Sequence, residues 1–148
     1  METRVVTRVT IKATPKAVYT YFEDTRKHYV WNPHLQRVIP EGRLKVGDFY
    51  SAESVVLGIR TVAKNQVVKL VRGKEFEVKN DTGLLHYCVN YTLVPKNIST
   101  IVVCTTVVSA DGKAFAFAKP VLQKMARHEL QSDLKALKRA VEEGMTNE

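Results

Sequence analysis

Cysteine is almost missing from this chain: Cys88 and Cys104 are the only two in 148 residues. Two are too few for a disulfide scaffold, and both lie inside β-like runs, where buried reduced thiols are common. They stand 16 positions apart with no CxxC pair, and none of the four histidines has metal-ligand spacing, so no metal site is expected. There is no glycine-rich phosphate loop, no GxSxG elbow and no cysteine with an evident base, which disfavours a nucleotide-dependent or covalent enzyme and predicts no cofactor. No apolar run reaches the roughly 18 to 20 residues of a membrane span. The chain opens with Glu2 and Arg4 in an alternating pattern and not with an apolar leader, which predicts a cytoplasmic protein. Basic runs of five or six residues are also absent, as is the aromatic and basic interleaving of RNA-binding sheets. The net charge of +8 permits an anionic partner by long-range attraction, but specific nucleic-acid binding is disfavoured.

What is present is periodicity. The length and the hydrophobic share of 45% suit one domain spanning residues 1–148 with a real core. From Arg4 to Lys12 the residues Val5, Thr7, Val9 and Ile11 alternate with Arg4, Arg8 and Lys12, the period of a half-buried strand. Thr14-Pro15 then starts a helix to about Glu23: Thr can accept a hydrogen bond from a first-turn amide, and Pro suits the first helical position. Asp24-Thr25 restarts a short second helix, which Trp31-Asn32-Pro33 closes. The period returns to two over Leu35 to Ile39, Gly47 to Leu57, Ile59 to Val71, Lys74 to Lys79, Leu84 to Val94 and Ser99 to Ser109. Turns are expected at Arg72-Gly73, Asn80-Asp81-Thr82-Gly83 and Pro95-Lys96-Asn97. Successive hairpins mean an antiparallel sheet.

Lys113 to Glu143 reads as one long amphipathic helix. Ala118, Leu122, Met125, Ala126, Leu130, Leu134, Leu137 and Val141 share an apolar face, with Lys124, Arg127, His128, Gln131, Lys135, Lys138 and Arg139 opposite. Pro120 must start its main part or kink it. The order is strand, two short helices, about six antiparallel strands and one long helix. An α+β fold with a strongly bent sheet wrapped on that helix covers so much apolar surface.

Five segments make a resemblance specific. They are Ala13-Thr14-Pro15-Lys16-Ala17-Val18-Tyr19, Trp31-Asn32-Pro33, Val46-Gly47, Tyr91-Thr92-Leu93-Val94-Pro95, and Pro120-Val121-Leu122 with Asp133-Leu134-Lys135-Ala136-Leu137-Lys138. In this order and spacing the chain resembles the helix-grip, START-like superfamily, which includes the major birch-pollen allergen and lipid-transfer domains. Its pattern is nearest to the polyketide cyclase/dehydratase and lipid transport family. The resemblance implies a curved antiparallel sheet of about seven strands on the long C-terminal helix. It also implies an apolar cavity between them for sterols, lipids, aromatic polyketides or hormones.

Phe115, Phe117, Leu122 and Met125 on the helix, with Tyr21, Phe22, Trp31 and Tyr50, could wall such a cavity or simply fill a core. Helical geometry cannot put Phe115 and Phe117 on one face. His86, Asn90 and Tyr87 could supply polar contacts. Asp133 falls inside the apolar face of the long helix, where a carboxylate must be paired, hydrogen-bonded, near water or protonated. The expected arrangement is an ion pair with Arg8; a catalytic acid or ligand anchor is the alternative, with Glu129 one turn away. The function expected first is binding or transport of a hydrophobic or amphipathic small molecule by a monomer or homodimer. The alternatives are a cofactor-independent cyclase or dehydratase, and a basic-surface module that meets RNA, ribosome or acidic protein.

Overall fold

The structure, a computed structural model, describes residues 2–56, 58–81, 86–109 and 113–146, with the side chains at 56, 59, 113–118, 122 and 145–146 outside the description. Strand β1 (Glu2–Ile11) leads into helix α1 (Pro15–Glu23) and a 3-10 helix (Thr25–Val30). The strands β2 (Leu35–Ile39), β3 (Phe49–Val56), β4 (Ile59–Val71), β5 (Glu75–Asn80), β6 (His86–Lys96) and β7 (Ser99–Ser109) follow, and helix α2 (Lys113–Thr146) ends the described chain. All neighbouring strands pair antiparallel in the order β1-β7-β6-β5-β4-β3-β2.

Local chemistry sets the punctuation. The Thr14 hydroxyl accepts a hydrogen bond from the Ala17 amide at 3.2 Å, satisfying one unpaired donor at the start of α1, and Pro15 takes the first helical position. Asp24 ends α1 and caps the 3-10 helix, accepting from the Arg26 amide at 2.9 Å. Its ion pair with Arg26 holds the carboxyl down at about 2. Between β4 and β5 the turn needs a left-handed residue, and Gly73 supplies it with φ 71.

Two turns differ from the sequence expectation. Pro95 stays in β6, opposite Thr100, and the reversal falls at Asn97 and Ile98, because Lys96 still pairs with Ser99. Asn97 adopts φ 56, a region asparagine tolerates better than most residues. Strand β3 begins at Phe49 and not at Gly47, since the Asp48 carboxylate accepts from the Lys45 amide at 2.8 Å and holds that stretch as a turn. Pro120 lies within α2. The expected turn residues Thr82 and Gly83, and Leu84 and Leu85 beyond them, lie outside the described residues.

The core joins the concave face of the sheet to α1 and α2. Phe22 sits at its centre, its ring 5.2 Å from Trp31, 5.6 Å from Phe76 and 4.8 Å from Tyr91. Leu134, Leu137 and Val141 bring α2 into the same cluster. On its other flank α2 closes the free edge of β1. Arg127 donates to the Val6 carbonyl, Lys138 donates to the Thr10 carbonyl at 2.7 Å, and Gln123 bonds the Thr3 hydroxyl.

Candidate functional site

Strand alternation sorts the concave face into rows that run across the sheet. Leu93 and Val102 pair in one row. The next holds Phe76, Tyr91, Cys104 and Thr7, and the one after it Val67, Val78, Val89, Thr106 and Val5. A further row holds Asn80, Tyr87, Val108 and Thr3, and the Gln66–Lys79 pairing sets Asn65 beside Asn80. The face therefore runs from apolar at the Phe22 cluster to polar at the opposite end.

At the polar end the side chains hold one another. The Tyr87 hydroxyl donates to the Asn65 side-chain oxygen at 2.7 Å. Tyr50, buried on β3, also bonds Asn65. Burial raises the pKa of Tyr50, Tyr87 and Tyr91, so all three phenols stay protonated, the Tyr87 proton being given to Asn65. Burial also pushes the Cys104 thiol up to about 11, which makes it inert as a nucleophile at neutral pH. The Thr7 hydroxyl is buried on β1 directly opposite the Cys104 thiol.

Helix α2 adds the decisive group. Leu130, Leu134, Leu137 and Val141 make the ridge that meets the sheet, and Asp133 stands beside that ridge. Its carboxyl is pushed up to about 8, first by burial and then by the Glu129 charge one turn earlier. The charge of Asp133 is felt by Tyr91 and Cys104, which sets the carboxyl over their row. It makes no hydrogen bond or ion pair with any described residue. The expected bridge to Arg8 fails because Arg8 alternates onto the exposed outer face of β1, while Thr7 points inward. At neutral pH Asp133 is a neutral acid that can donate a hydrogen bond or a proton.

Glu129 also lines a cleft of about 660 Å³ between α2 and the loop before β2, with His34, Pro120, Val121, Met125 and Ser132 among its walls. Of the two carboxyls only Glu129 is part of the cleft wall; Asp133 is one turn further along α2 and is not among the lining residues. Tyr50 and Tyr87 fall on the concave face, and Phe22 and Trp31 close its apolar end; the Trp31 indole donates to the Tyr21 carbonyl at 2.9 Å. Tyr21 itself sits away from the cleft, with its hydroxyl at the Gly144 end of α2. His86 and Asn90 do not face a cavity: His86 is exposed on the outer sheet face, and Asn90 donates to Glu75 and Glu77 on that same face. Their parity with Cys88 and Thr92 explains the placement. Met125 is 47% exposed and lines the outer cleft instead of an interior wall. The side chains of Phe115, Phe117 and Leu122 lie outside the described residues. Asn65 and Asn80 were missed by sequence reasoning, although each is a polar residue in step with inward Val67 and Val78 along its own strand. Among the described residues no three His, Cys, Asp or Glu side chains converge as a metal site.

A family profile described as polyketide cyclase/dehydrase and lipid transport matches residues 2–142. The chain belongs to that family. Solved structures share the helix-grip fold across the whole length of this family member. A protein from Thermus thermophilus superposes with TM-score 0.81 at 17% identity, covering 96% of this chain and 99% of that one. A START superfamily protein from Mycobacterium smegmatis gives 0.80 at 18%, covering 95% and 97%. The di-domain ARO/CYC StfQ of the steffimycin biosynthetic pathway gives 0.84 at 15%, covering 99% of this chain and 53% of that longer one. Among curated proteins no relative matches. Family membership supports ligand-binding or cyclase-type roles in general, and the fold sets the sheet and helix around the polar end described above.

Proposed function

We propose that the protein binds an amphipathic small molecule whose apolar part lies in the cleft beside α2 and whose polar end carries hydrogen-bond acceptors such as carbonyl or hydroxyl oxygens. The observation that carries this reading is Asp133: an unpaired carboxyl, neutral at pH 7, close to the buried, protonated phenol of Tyr91. Apolar contact at roughly 25 cal/mol per Å² supplies affinity, and the donors fix orientation. Native mass spectrometry of gently purified protein is the test. The expected result is a bound small molecule that organic solvent releases, with weaker retention in Asp133→Asn. Protein that is free of any adduct and also fails to take up a fluorescent fatty acid or an aromatic polyketide would sink the reading.

A second reading is favoured by the same carboxyl. A neutral acid beside Tyr91 can protonate a ketone oxygen or a leaving hydroxyl, the step an acid-catalysed cyclisation or dehydration needs. Turnover of a bound polyketide-like substrate would then fall as pH rises past about 8, where Asp133 ionises, and Asp133→Asn would abolish turnover while leaving binding within a few fold.

A further inference from the structure

The outward face of α2 carries a charge pattern of which the fold uses only Arg127, through its bond to the Val6 carbonyl at the β1 edge. Lys124, Arg127, Lys135 and Arg139 line a shallow groove of about 580 Å³ along it and are exposed. Lys124 also lines the cleft, where Val121 is 62% and Met125 47% exposed. Lys124, Lys135 and Arg139, with two bare aliphatic side chains, thus share one face from residue 121 to residue 139, about 27 Å of helix at 1.5 Å per residue, and Arg127 flanks them toward β1. Scattered apolar residues on a surface need no explanation, but a contiguous set flanked by like charges does. A helix that offers aliphatic side chains and a row of Lys and Arg together has the chemistry to lie in the headgroup layer of an anionic bilayer. RNA is disfavoured, because no Phe, Tyr or Trp lines the groove or the cleft among the described residues, and the imidazoles of His34 and His128 are the only aromatic rings there to stack bases.

We propose that this face docks on the surface of an anionic phospholipid bilayer, with the mouth of the cleft turned toward the lipid. The docking is read from charge and exposure; its purpose, direct passage of an amphipathic ligand between membrane and cleft, rests on the ligand reading above. Attraction to the surface supplies most of the binding, at about fivefold per Lys or Arg near the headgroups. Val121 and Met125 then enter the interface and hold the cleft against it.

Flotation with vesicles tests this. Wild-type protein should float with phosphatidylcholine vesicles that contain about one third phosphatidylglycerol and not with phosphatidylcholine alone. Raising salt from about 0.1 M to about 1 M, which shortens the screening length from roughly 10 Å to roughly 3 Å, should release most of it. Lys135→Glu with Arg139→Glu, both on the exposed side of the helix, should weaken vesicle binding at least about 25-fold with an unchanged melting curve. Val121→Ser with Met125→Ser should weaken it about tenfold through lost apolar contact. Equal binding to neutral and anionic vesicles, no binding to either, or a Lys135/Arg139 variant that floats like wild type would overturn the proposal. So would an oligonucleotide or polyglutamate that binds as tightly as the vesicles and ignores the Val121/Met125 change, since that assigns the face to a soluble polyanion. Failure of flotation with a ligand still present in native mass spectrometry refutes the docking alone. Flotation by protein that never carries or takes up a ligand refutes the ligand reading alone.

Discussion

A carboxyl that stays protonated to about pH 8 makes stability fall as pH rises. Between its ordinary 3.8 and about 8, folded Asp133 holds a proton that the unfolded chain has released, so every step up in pH across that window favours unfolding. The cost at pH 8 is on the order of 2 kcal/mol once partial contact with water is allowed for. Asp133→Asn should therefore melt like wild type near pH 4 and several degrees higher at pH 8, as thermal unfolding at the two pH values would read. His28 works in the opposite direction. Burial lowers it to about 4, and its ring bonds the Phe22 carbonyl at 2.8 Å. Full stability is present above its ordinary 6.5 and is lost as pH falls from there through about 4, because the unfolded chain then takes up a proton the folded one refuses. His28→Gln should flatten that acid limb in a titration of melting temperature, and an unchanged limb would assign acid sensitivity elsewhere. At this scale the sequence signalled Asp133 as an anomaly but not its lack of a partner. Arg8 on β1 was the expected partner, yet strand parity turns it to water.

Elements were more legible than residues. Helix α1, the alternating strands and the long helix all follow from period and capping, because burial of one face enforces a period that a reader can count. Turn chemistry was less so: Pro95 reads as a strand breaker, yet it sits in β6 because a left-handed Asn97 lets the pairing continue to Lys96 and Ser99. For α2 the ridge is what matters. Leu137 is fully buried against the sheet, so Leu137→Ala should cost about 2 to 5 kcal/mol in denaturant unfolding. Lys138→Ala, which removes an exposed bond to the Thr10 carbonyl, should cost less than about 1 kcal/mol. Near-equal losses in the two variants would mean that edge contacts, and not the ridge, hold the helix down.

At the scale of the molecule, the helix-grip order of elements could be read from the chain, whereas the cleft could not. A cleft depends on where two elements fail to touch, and period alone carries no information about gaps. Cys88 and Cys104 lie on the adjacent strands β6 and β7 but are not opposite one another: Cys88 pairs with Val107 and Cys104 with Tyr91, and both are free thiols. Thiol titration of unfolded, unreduced protein should count two, and native protein should expose half-buried Cys88 well before buried Cys104. A count near zero would refute the assignment. The lengthwise division of the concave face has a further consequence for how the chain can change over generations. Residues around Phe22 and Leu137 carry the cooperative stability, so amide protons there should exchange with solvent only on global opening, while those beside Asn65, Asn80 and Tyr87 exchange through smaller local openings. On the ligand reading proposed above, substitutions at the polar end would change specificity at a smaller cost in stability than substitutions around Phe22 and Leu137, so that one half of the molecule can vary while the other holds it folded.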